Sequence, residues 1–207
     1  MKKMQQQTNE WFTARSGKFT ASRFADLLTK PRTKGEVSKT RQSCILDVVT
    51  ERLTGKYEES FSSDDMRNGH IYEPLARNAY EVSTGNFVTE VGFIQHKNGL
   101  LCGASPDGLI GLDGGIEAKC PKAKTHMGYL LLTEAPKIYT PQIQGGLWIT
   151  EREWWDFISF NPNFPPQYQL KIIRVYRDEE LIKTIETEVL KALHEADQII
   201  NELAKAA

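Results

Sequence analysis

Helical and extended segments alternate along this chain of 207 residues, and their order limits the folds that it can adopt. Apolar residues recur at helical spacing in the first part of the chain, whereas later segments are rich in the β-branched and aromatic residues typical of strands. Helices therefore precede, separate and follow the strands, which predicts an α/β domain. In chain order, the predicted segments are helices at residues 20–30, 40–54 and 64–83, strands at 87–95, 100–105 and 116–120, a helix at 141–150, and strands at 154–160 and 170–176.

The chain ends in a long amphipathic helix, since apolar residues repeat at gaps of three and four from Ile182 to Leu203. We expect the apolar stripe of this helix to pack on the rest of the domain. The whole pattern predicts a central mixed β-sheet flanked by helices, with the long helix at the C-terminus. Because 40% of the 207 residues are apolar, we expect a single domain over residues 1–207 with one sizeable core.

The composition argues against a membrane or secreted protein. No apolar run approaches the roughly 18 residues of a membrane span. The N-terminus, MKKMQQQTNEW, continues with polar residues instead of the apolar core of a secretory signal. The cysteines Cys44, Cys102 and Cys120 are far apart and include no C-x-x-C pair, so neither a disulfide framework nor a zinc site is indicated. We therefore expect no membrane partner and a cytoplasmic location.

Charge is unevenly distributed, although the net charge is only −1. Residues 1–45 carry ten Lys or Arg against three acids, and residues 178–207 carry eight acids against three lysines. A basic N-terminal part could bind a phosphate backbone while the acidic end faces away. On charge alone, ordinary solvated surface charge is an equally good interpretation.

The most informative stretch joins Asp107 to Glu117 and Lys119 through a glycine-rich turn. Glu117 and Lys119 are two residues apart in a predicted strand, so their side chains leave the same face. Asp107 lies at the end of the preceding predicted strand, so two carboxylates and one lysine can converge. Phosphodiester hydrolysis needs such a set, because carboxylates hold a divalent cation and a lysine can orient water or stabilise charge. The alternative is a surface hairpin with scattered charges, and the three residues together favour a site.

These residues also carry a family resemblance. Pro106-Asp107, nine residues and then Glu117-Ala118-Lys119 match the PD-(D/E)-x-K signature of the restriction-endonuclease-like nuclease superfamily. The segments ASPDGL, EAKCP, NGHIYEPLAR and PQIQGGLWIT resemble phage lambda exonuclease and its alkaline-exonuclease relatives, the YqaJ-like viral recombinases. The resemblance runs from near residue 11 to about residue 177, and implies a restriction-endonuclease-like core.

The resemblance implies roles for the catalytic residues one by one. Asp107 and Glu117 resemble the metal carboxylates of the family, and the backbone carbonyl of Ala118 resembles its backbone ligand. Lys119 resembles the catalytic lysine. The implied cofactor is Mg²⁺, as two ions, with Mn²⁺ as a substitute.

Three further residues fall at family positions around this site. Glu73, in IYEPLAR, matches the helix glutamate near the second metal, although a solvated helix carboxylate is the plain alternative. Glu73 shares its helix stripe with Ala76 and Tyr80, where an acid is awkward without a cationic partner. Gln142 matches the active-site glutamine of the family; the plain alternative is a residue on a polar helix face. Ser105 matches the serine beside the aspartate; the plain alternative is a turn residue.

The N-terminal part of the resemblance concerns the DNA end. Arg15, Ser22 and Arg32 resemble the family's pocket for the 5′-terminal phosphate. Taken alone, the two arginines are ordinary surface residues and Ser22 is a helix cap. Trp11 and Met66 fall where the family places apolar residues that part the end of the duplex, with Met66 at a position that is usually leucine. Taken alone, both are more simply core residues.

The resemblance implies an exonuclease that digests linear double-stranded DNA from 5′-phosphate ends, in the 5′→3′ direction. It would release mononucleotides and leave a 3′ single-stranded overhang. The family also implies a homotrimer ring and a phage or prophage role in recombination, in the cytoplasm of a bacterial host, beside a single-strand annealing protein. Two alternatives remain open: an endonuclease of the same superfamily, such as a restriction or junction-cleaving enzyme, and a non-catalytic DNA-binding module. Retention of Asp107, Glu117 and Lys119 argues against a decayed nuclease.

Overall fold

A computed structural model describes residues 4–31, 33, 36–57 and 64–206, with side chains in the helix at 64–84 described at 69 and from 71 onward. Within this part, helices and strands alternate much as the sequence predicts. The helices are α1 Asn9–Arg15, α2 Phe24–Leu27, α3 Lys39–Thr54, α4 Asp64–Thr84, α5 Ala123–Leu130, α6 Thr140–Thr150 and α7 Glu179–Ala206. The strands are β1 Phe19–Thr20, β2 Val88–Thr89, β3 Ile94–Gln95, β4 Cys102–Ala104, β5 Gly108–Ile110, β6 Gly114–Lys119, β7 Trp154–Phe160 and β8 Leu170–Tyr176.

The described strands form two sheets instead of the one central sheet expected. The larger sheet has the order β2-β5-β6-β7-β8, and the smaller has the order β1-β4-β3. Both are mixed, because β6–β7 and β1–β4 pair in parallel while the other neighbours pair antiparallel. The prediction of an α/β fold with mixed sheets, flanking helices and a long C-terminal helix is confirmed.

Several helix boundaries follow from local signals that the sequence carries. Helix α3 begins after Ser38, whose hydroxyl accepts the N–H of Arg41, and ends at Gly55, where φ is +68°. Helix α4 ends before Gly85, where φ is +72°. The predicted helices at 40–54 and 64–83 are therefore confirmed to within one residue at each end.

Other segments differ from the prediction for tertiary reasons. The strand predicted at 87–95 is split into β2 and β3, which belong to different sheets. The N-terminal segment crosses the chain here, since Gln6 Nε2 donates to the carbonyl of Val91 at 3.0 Å and a side chain on Gly92 would collide with Met4. The helix predicted at 20–30 is shorter in the structure, where a 3₁₀ turn leads into α2. The elements α1, β5 and α5 were not predicted.

The core lies on both faces of the larger sheet. Alternate residues of β7 point to opposite faces, so Trp155 and Phe157 join the larger apolar cluster while Ile158 and Phe160 join a smaller one under α4. The apolar stripe of α7 is buried in the larger cluster, as predicted. No helix in the described part of the chain is both long and apolar enough to cross a membrane.

Candidate active site

The β5–β6 hairpin brings the two predicted carboxylates opposite each other. The last paired residues are Gly108 and Ile116, so Asp107 and Glu117 occupy the next facing positions. The strands part here, and Asp107 Oδ2 accepts the backbone N–H of Ala118 at 2.6 Å in place of a ladder bond. Asp107 therefore lies immediately before β5, not at the end of the preceding strand as the sequence had indicated. Gly108 permits this packing, because a Cβ there would lie 2.1 Å from Val88 Cγ1.

Glu117 is buried, at 4% exposure, and its two carboxylate oxygens differ in the hydrogen bonds that they accept. Oε1 accepts from Lys119 Nζ and from Gln142 Nε2, each at 2.6 Å. No donor among the described residues reaches Oε2. Similarly, Asp107 Oδ2 is bonded to the N–H of Ala118 while Oδ1 receives no donor in the described part of the chain. One oxygen of each carboxylate is thus available to a ligand.

The electrostatics of the site favour additional positive charge. Burial raises the pKa of Glu117 to about 7, against the attraction of Lys119. Burial, followed by repulsion from Glu73, raises the pKa of Asp107 to about 7. Burial alone would lower the pKa of Lys119, but Glu117 and Asp107 outweigh it and the pKa is raised. A single lysine therefore does not neutralise two buried carboxylates, and a bound cation would offset their burial.

The donor set fits a hard divalent cation. In an extended strand the N–H and C=O of one residue point to the same side, so the Ala118 carbonyl faces the side where Asp107 accepts its N–H. Two carboxylate oxygens and one carbonyl suit Mg²⁺, which usually keeps several water ligands. Within the described residues, no three His, Cys, Asp or Glu side chains come close enough to hold a metal by themselves. Any metal here would therefore depend on the backbone and on water.

Glu73 lies on α4 beside this pair but is already engaged. Arg77, one helical turn later, forms an ion pair with Glu73, and its Nη2 lies 3.0 Å from Glu90 Oε2. Burial raises the pKa of Glu73, and Arg77 opposes that rise, while Glu117 adds to it. The expected cationic partner of Glu73 is thus Arg77. The i, i+4 spacing of Glu73 and Arg77 was the sequence signal for this ion pair.

The N-terminal residues form a second cluster around Ser105. Its hydroxyl accepts from Trp11 Nε1 at 3.0 Å and from Arg15 Nη1 at 2.9 Å. Arg15 lies over the Trp11 ring at 4.2 Å and donates to the Tyr57 hydroxyl at 3.4 Å. It is only 8% exposed, its Nε has no partner, and no carboxylate in the described part pairs with it. A buried cation without a counter-ion is costly, so this pocket is suited to an anion.

The other predicted DNA-end residues have different outcomes. Ser22 is exposed and its hydroxyl lies 3.0 Å from that of Thr20. Its neighbour Arg23, which was not predicted, pairs with the buried carboxylate of Glu51 at 2.5 Å, and its buried Nη1 has no partner within the part of the chain that the structure describes. Arg32 and the side chain of Met66 lie outside the described residues, so both remain predictions.

One cleft of about 1290 Å³ connects the carboxylate site with the N-terminal cluster. Arg23 and Tyr57 also line it, so the basic pocket extends beyond the predicted residues. Residue spacing in the sequence did not place these two clusters together; only the family resemblance related them. The predicted site residues that line the cleft are Trp11, Arg15, Ser22, Glu73, Ser105, Asp107, Glu117, Ala118, Lys119 and Gln142.

Comparison with known proteins gives consistent matches. The model of the YqaJ-like viral recombinase domain family matches residues 10–153. The crystal structure of an alkaline exonuclease from Laribacter hongkongensis, LHK-Exo, is 40% identical, with a TM-score of 0.88 over 96% of this chain and 97% of that one. LHK-Exo in complex with dAMP is 41% identical, with the same TM-score over 97% and 100%.

A more distant match shows likeness in fold alone. A phage-related exonuclease from Haemophilus somnus 129PT is 18% identical, with a TM-score of 0.75 over 90% of this chain and 96% of that one. No curated protein matches the chain.

Proposed function

Since the chain belongs to the family of YqaJ-like viral recombinase domains, we propose that it is a Mg²⁺-dependent 5′→3′ exonuclease acting on linear double-stranded DNA. That it is a DNA exonuclease follows from its homology to an alkaline exonuclease along nearly the whole chain. The proposed Mg²⁺ cofactor and the proposed 5′→3′ direction of digestion are supported by the geometry of the site. The observation that carries them is one cleft that joins two donor-poor carboxylates to a buried arginine with no counter-ion among the described residues.

The metal would be held by the free oxygens of Asp107 and Glu117 with the carbonyl of Ala118, and Glu73 would lie near a second ion. When bound, Mg²⁺ neutralises charge on the phosphate and makes hydroxide available from water, and Mn²⁺ can substitute for it. Gln142 fixes Glu117 through Oε1 and leaves Oε2 toward the ligand. Lys119 presents its ammonium at the same point, where it can orient the nucleophile or stabilise developing charge.

The direction of digestion would come from the N-terminal cluster. A terminal phosphate carries more charge than an internal diester, so a buried arginine favours a DNA end over the middle of a strand. The Arg15 guanidinium can bind two phosphate oxygens at once, and Ser105 already orients it. Ser22 and Arg32 are proposed to complete this pocket, and Trp11 and Met66 to part the duplex end. The product chemistry is then release of mononucleotides and retention of a 3′ overhang.

The proposed assembly is a homotrimer ring around the DNA, with the basic N-terminal surface lining the channel. A ring keeps hold of its substrate by topology and is generated by cyclic symmetry. Helix α7 packs on α3 through Arg41 with Glu195 and Arg52 with Asp197, so part of its acidic face is engaged within the chain, and the remainder is proposed to face away from the channel. The proposed context is phage-type recombination in a bacterial cytoplasm, where an annealing protein would bind the 3′ overhang.

The test of this function compares three DNA substrates in Mg²⁺: linear duplex with 5′-phosphate, linear duplex with 5′-hydroxyl, and a covalently closed circle. We expect mononucleotides and a persisting 3′ strand from the phosphorylated duplex, slower digestion of the hydroxyl form, and an intact circle. Cleavage of the circle would instead identify an endonuclease. Binding of all three without hydrolysis would identify a non-catalytic DNA-binding module.

A further inference from the structure

We infer that Tyr139 is a positioning residue for Lys119, holding the ammonium against the face of its ring. This inference rests on the proposed function, because it assigns Lys119 a role in hydrolysis. Lys119 Nζ lies 4.8 Å from the centroid of the Tyr139 ring, within the range of a cation–π contact. Tyr139 also lines the same cleft as the carboxylates.

The lysine needs a second anchor because its carboxylate contact is a weak constraint. Lysine has a flexible stem and a compact ammonium whose donors rotate freely. Among the described residues, its hydrogen bond is to Glu117 Oε1 at 2.6 Å, and that oxygen also accepts from Gln142. The side chain is 26% exposed, so solvent competes for it. The ring face restricts the ammonium from another direction.

The ring that performs this role is itself fixed. Tyr139 stacks on the fully buried Phe157 of β7, with centroids 5.5 Å apart and an interplanar angle of 21°. Tyr129 of α5 meets both rings edge-on, at 6.4 Å from Tyr139 and 5.6 Å from Phe157. The hydroxyls of Tyr129 and Tyr139 lie 3.5 Å apart. Two aromatic side chains from separate elements, Phe157 of β7 and Tyr129 of α5, therefore determine the orientation of the ring presented to Lys119.

The position of Tyr139 in the chain lets the start of one helix contact both Glu117 and Lys119. Tyr139 is the residue immediately before α6, and Gln142 is in the first turn of that helix. The start of α6 thus supplies Gln142 to Glu117 and Tyr139 to Lys119. The ring contact does not depend on the charge of Glu117. It would hold the ammonium in place when the charge of that carboxylate is shared with another ligand.

A purely structural role for Tyr139 makes different predictions. A packing contact depends on the shape of the side chain, whereas a cation–π contact depends on the electron density of the ring face. Tyr139→Phe keeps the face, while Tyr139→Leu keeps apolar bulk and removes it. Fluorinated phenylalanines at position 139 withdraw electron density from the face with little change in volume.

The experiment measures single-turnover cleavage of 5′-phosphorylated duplex in Mg²⁺ and DNA affinity in Ca²⁺, using the full chain. We expect Tyr139→Leu to lower the rate roughly tenfold without changing affinity, and Tyr139→Phe to restore most of the loss. The rate should fall stepwise along the series phenylalanine, 4-fluoro-, 3,5-difluoro- and 3,4,5-trifluorophenylalanine. In a Lys119→Ala background, Tyr139→Leu should have no further effect.

A wild-type rate for folded Tyr139→Leu would overturn the inference. If the leucine variant does not fold, the fluorinated series decides, and equal rates along it would assign the ring to packing alone. An additive effect in the Lys119→Ala background would also overturn it. An inactive wild-type chain, or full activity of Asp107→Ala, would instead count against the proposed function.

Discussion

Glu117 on β6 and Asp156 on β7 are both buried carboxylates on neighbouring strands, yet their surroundings differ. Asp156 is 1% exposed, and both of its oxygens have donors: Arg174 provides two bonds at 2.9 Å and the Tyr80 hydroxyl one at 2.6 Å. Glu117 receives two donors on one oxygen and none from the described residues on the other. Burial alone therefore does not identify a functional acid. The count of donors on each oxygen separates a structural carboxylate from one that can bind a metal.

The same comparison applies to the basic residues. Arg41 forms two hydrogen bonds with Glu195, at 2.6 and 2.8 Å, and joins two helices. Arg15 is buried with hydroxyl partners and no carboxylate among the described residues. In each case the functional candidate is the charged group whose described partners satisfy it only in part: Glu117 keeps one oxygen without a donor, and Arg15 has no carboxylate partner.

The largest expected effect is on catalysis. Glu117→Ala and Asp107→Ala should lower cleavage by more than about a hundredfold, because each removes a ligand oxygen of the proposed metal. Lys119→Ala should lose most activity with metal still bound. Asp156→Asn is the control, and its folded fraction should retain cleavage. Rates on 5′-phosphorylated duplex measure this, and near-normal cleavage by Glu117→Ala would remove the distinction between the two carboxylates.

The free energy of unfolding should depend on Asp156 more than on Glu117, which is the reverse of the order expected for cleavage. Asp156→Asn weakens a buried network and should lower the free energy of unfolding by roughly 2 kcal/mol. The loss is moderated because Arg174 is 40% exposed and solvent screens its charge. Glu117→Gln removes a buried charge and should leave the metal-free stability nearly unchanged or raise it. Urea unfolding in EDTA tests both, and a larger loss for Glu117→Gln would reverse the assignment.

The two arginines should differ at the DNA end. Arg15→Ala should reduce the preference for 5′-phosphate over 5′-hydroxyl by about tenfold, chiefly by slowing the phosphorylated substrate. Non-specific affinity should fall only modestly, because other basic residues remain. Arg41→Ala is the matched control and should keep the preference. If Arg15→Ala keeps the full wild-type preference for 5′-phosphate ends, the assignment of the terminal phosphate to the Arg15 pocket is wrong.

The smallest effect is a pH dependence of the metal-free chain. The pKa values of Asp107 and Glu117 are raised to about 7, above the roughly 4 of an unfolded carboxyl. The folded chain therefore holds these protons more tightly, and the stability they contribute at low pH is lost as pH rises through about 7. In EDTA, the wild type should lose about 1 kcal/mol more than Asp107→Asn between about pH 6 and about pH 7. Parallel pH profiles would contradict this, and Mg²⁺ should remove the difference.

The sequence predicted the parts of the site that depend on strand period. Two-residue spacing placed Glu117 and Lys119 on one face, and the glycine-rich turn brought Asp107 opposite. Strand β5 was missed because its three residues, Gly-Leu-Ile, lie in a stretch that resembles a turn. Arg77 was missed although its i, i+4 spacing from Glu73 in a predicted helix was a usable signal, whereas Tyr139 was missed because its contact with Lys119 joins separate elements. The outcome for Arg32 and Met66 depends on parts of the chain outside the described residues.

The central claim is that the donor-poor carboxylates, and not the fully bonded one, bind the divalent cation. Its most direct test is Mn²⁺ binding to the metal-free chain, followed by electron paramagnetic resonance, for wild type, Glu117→Gln and Asp156→Asn. We predict that wild type and folded Asp156→Asn bind Mn²⁺ with similar affinity, while Glu117→Gln binds at least about tenfold more weakly. Wild-type affinity in Glu117→Gln, or loss of binding confined to folded Asp156→Asn, would contradict the claim.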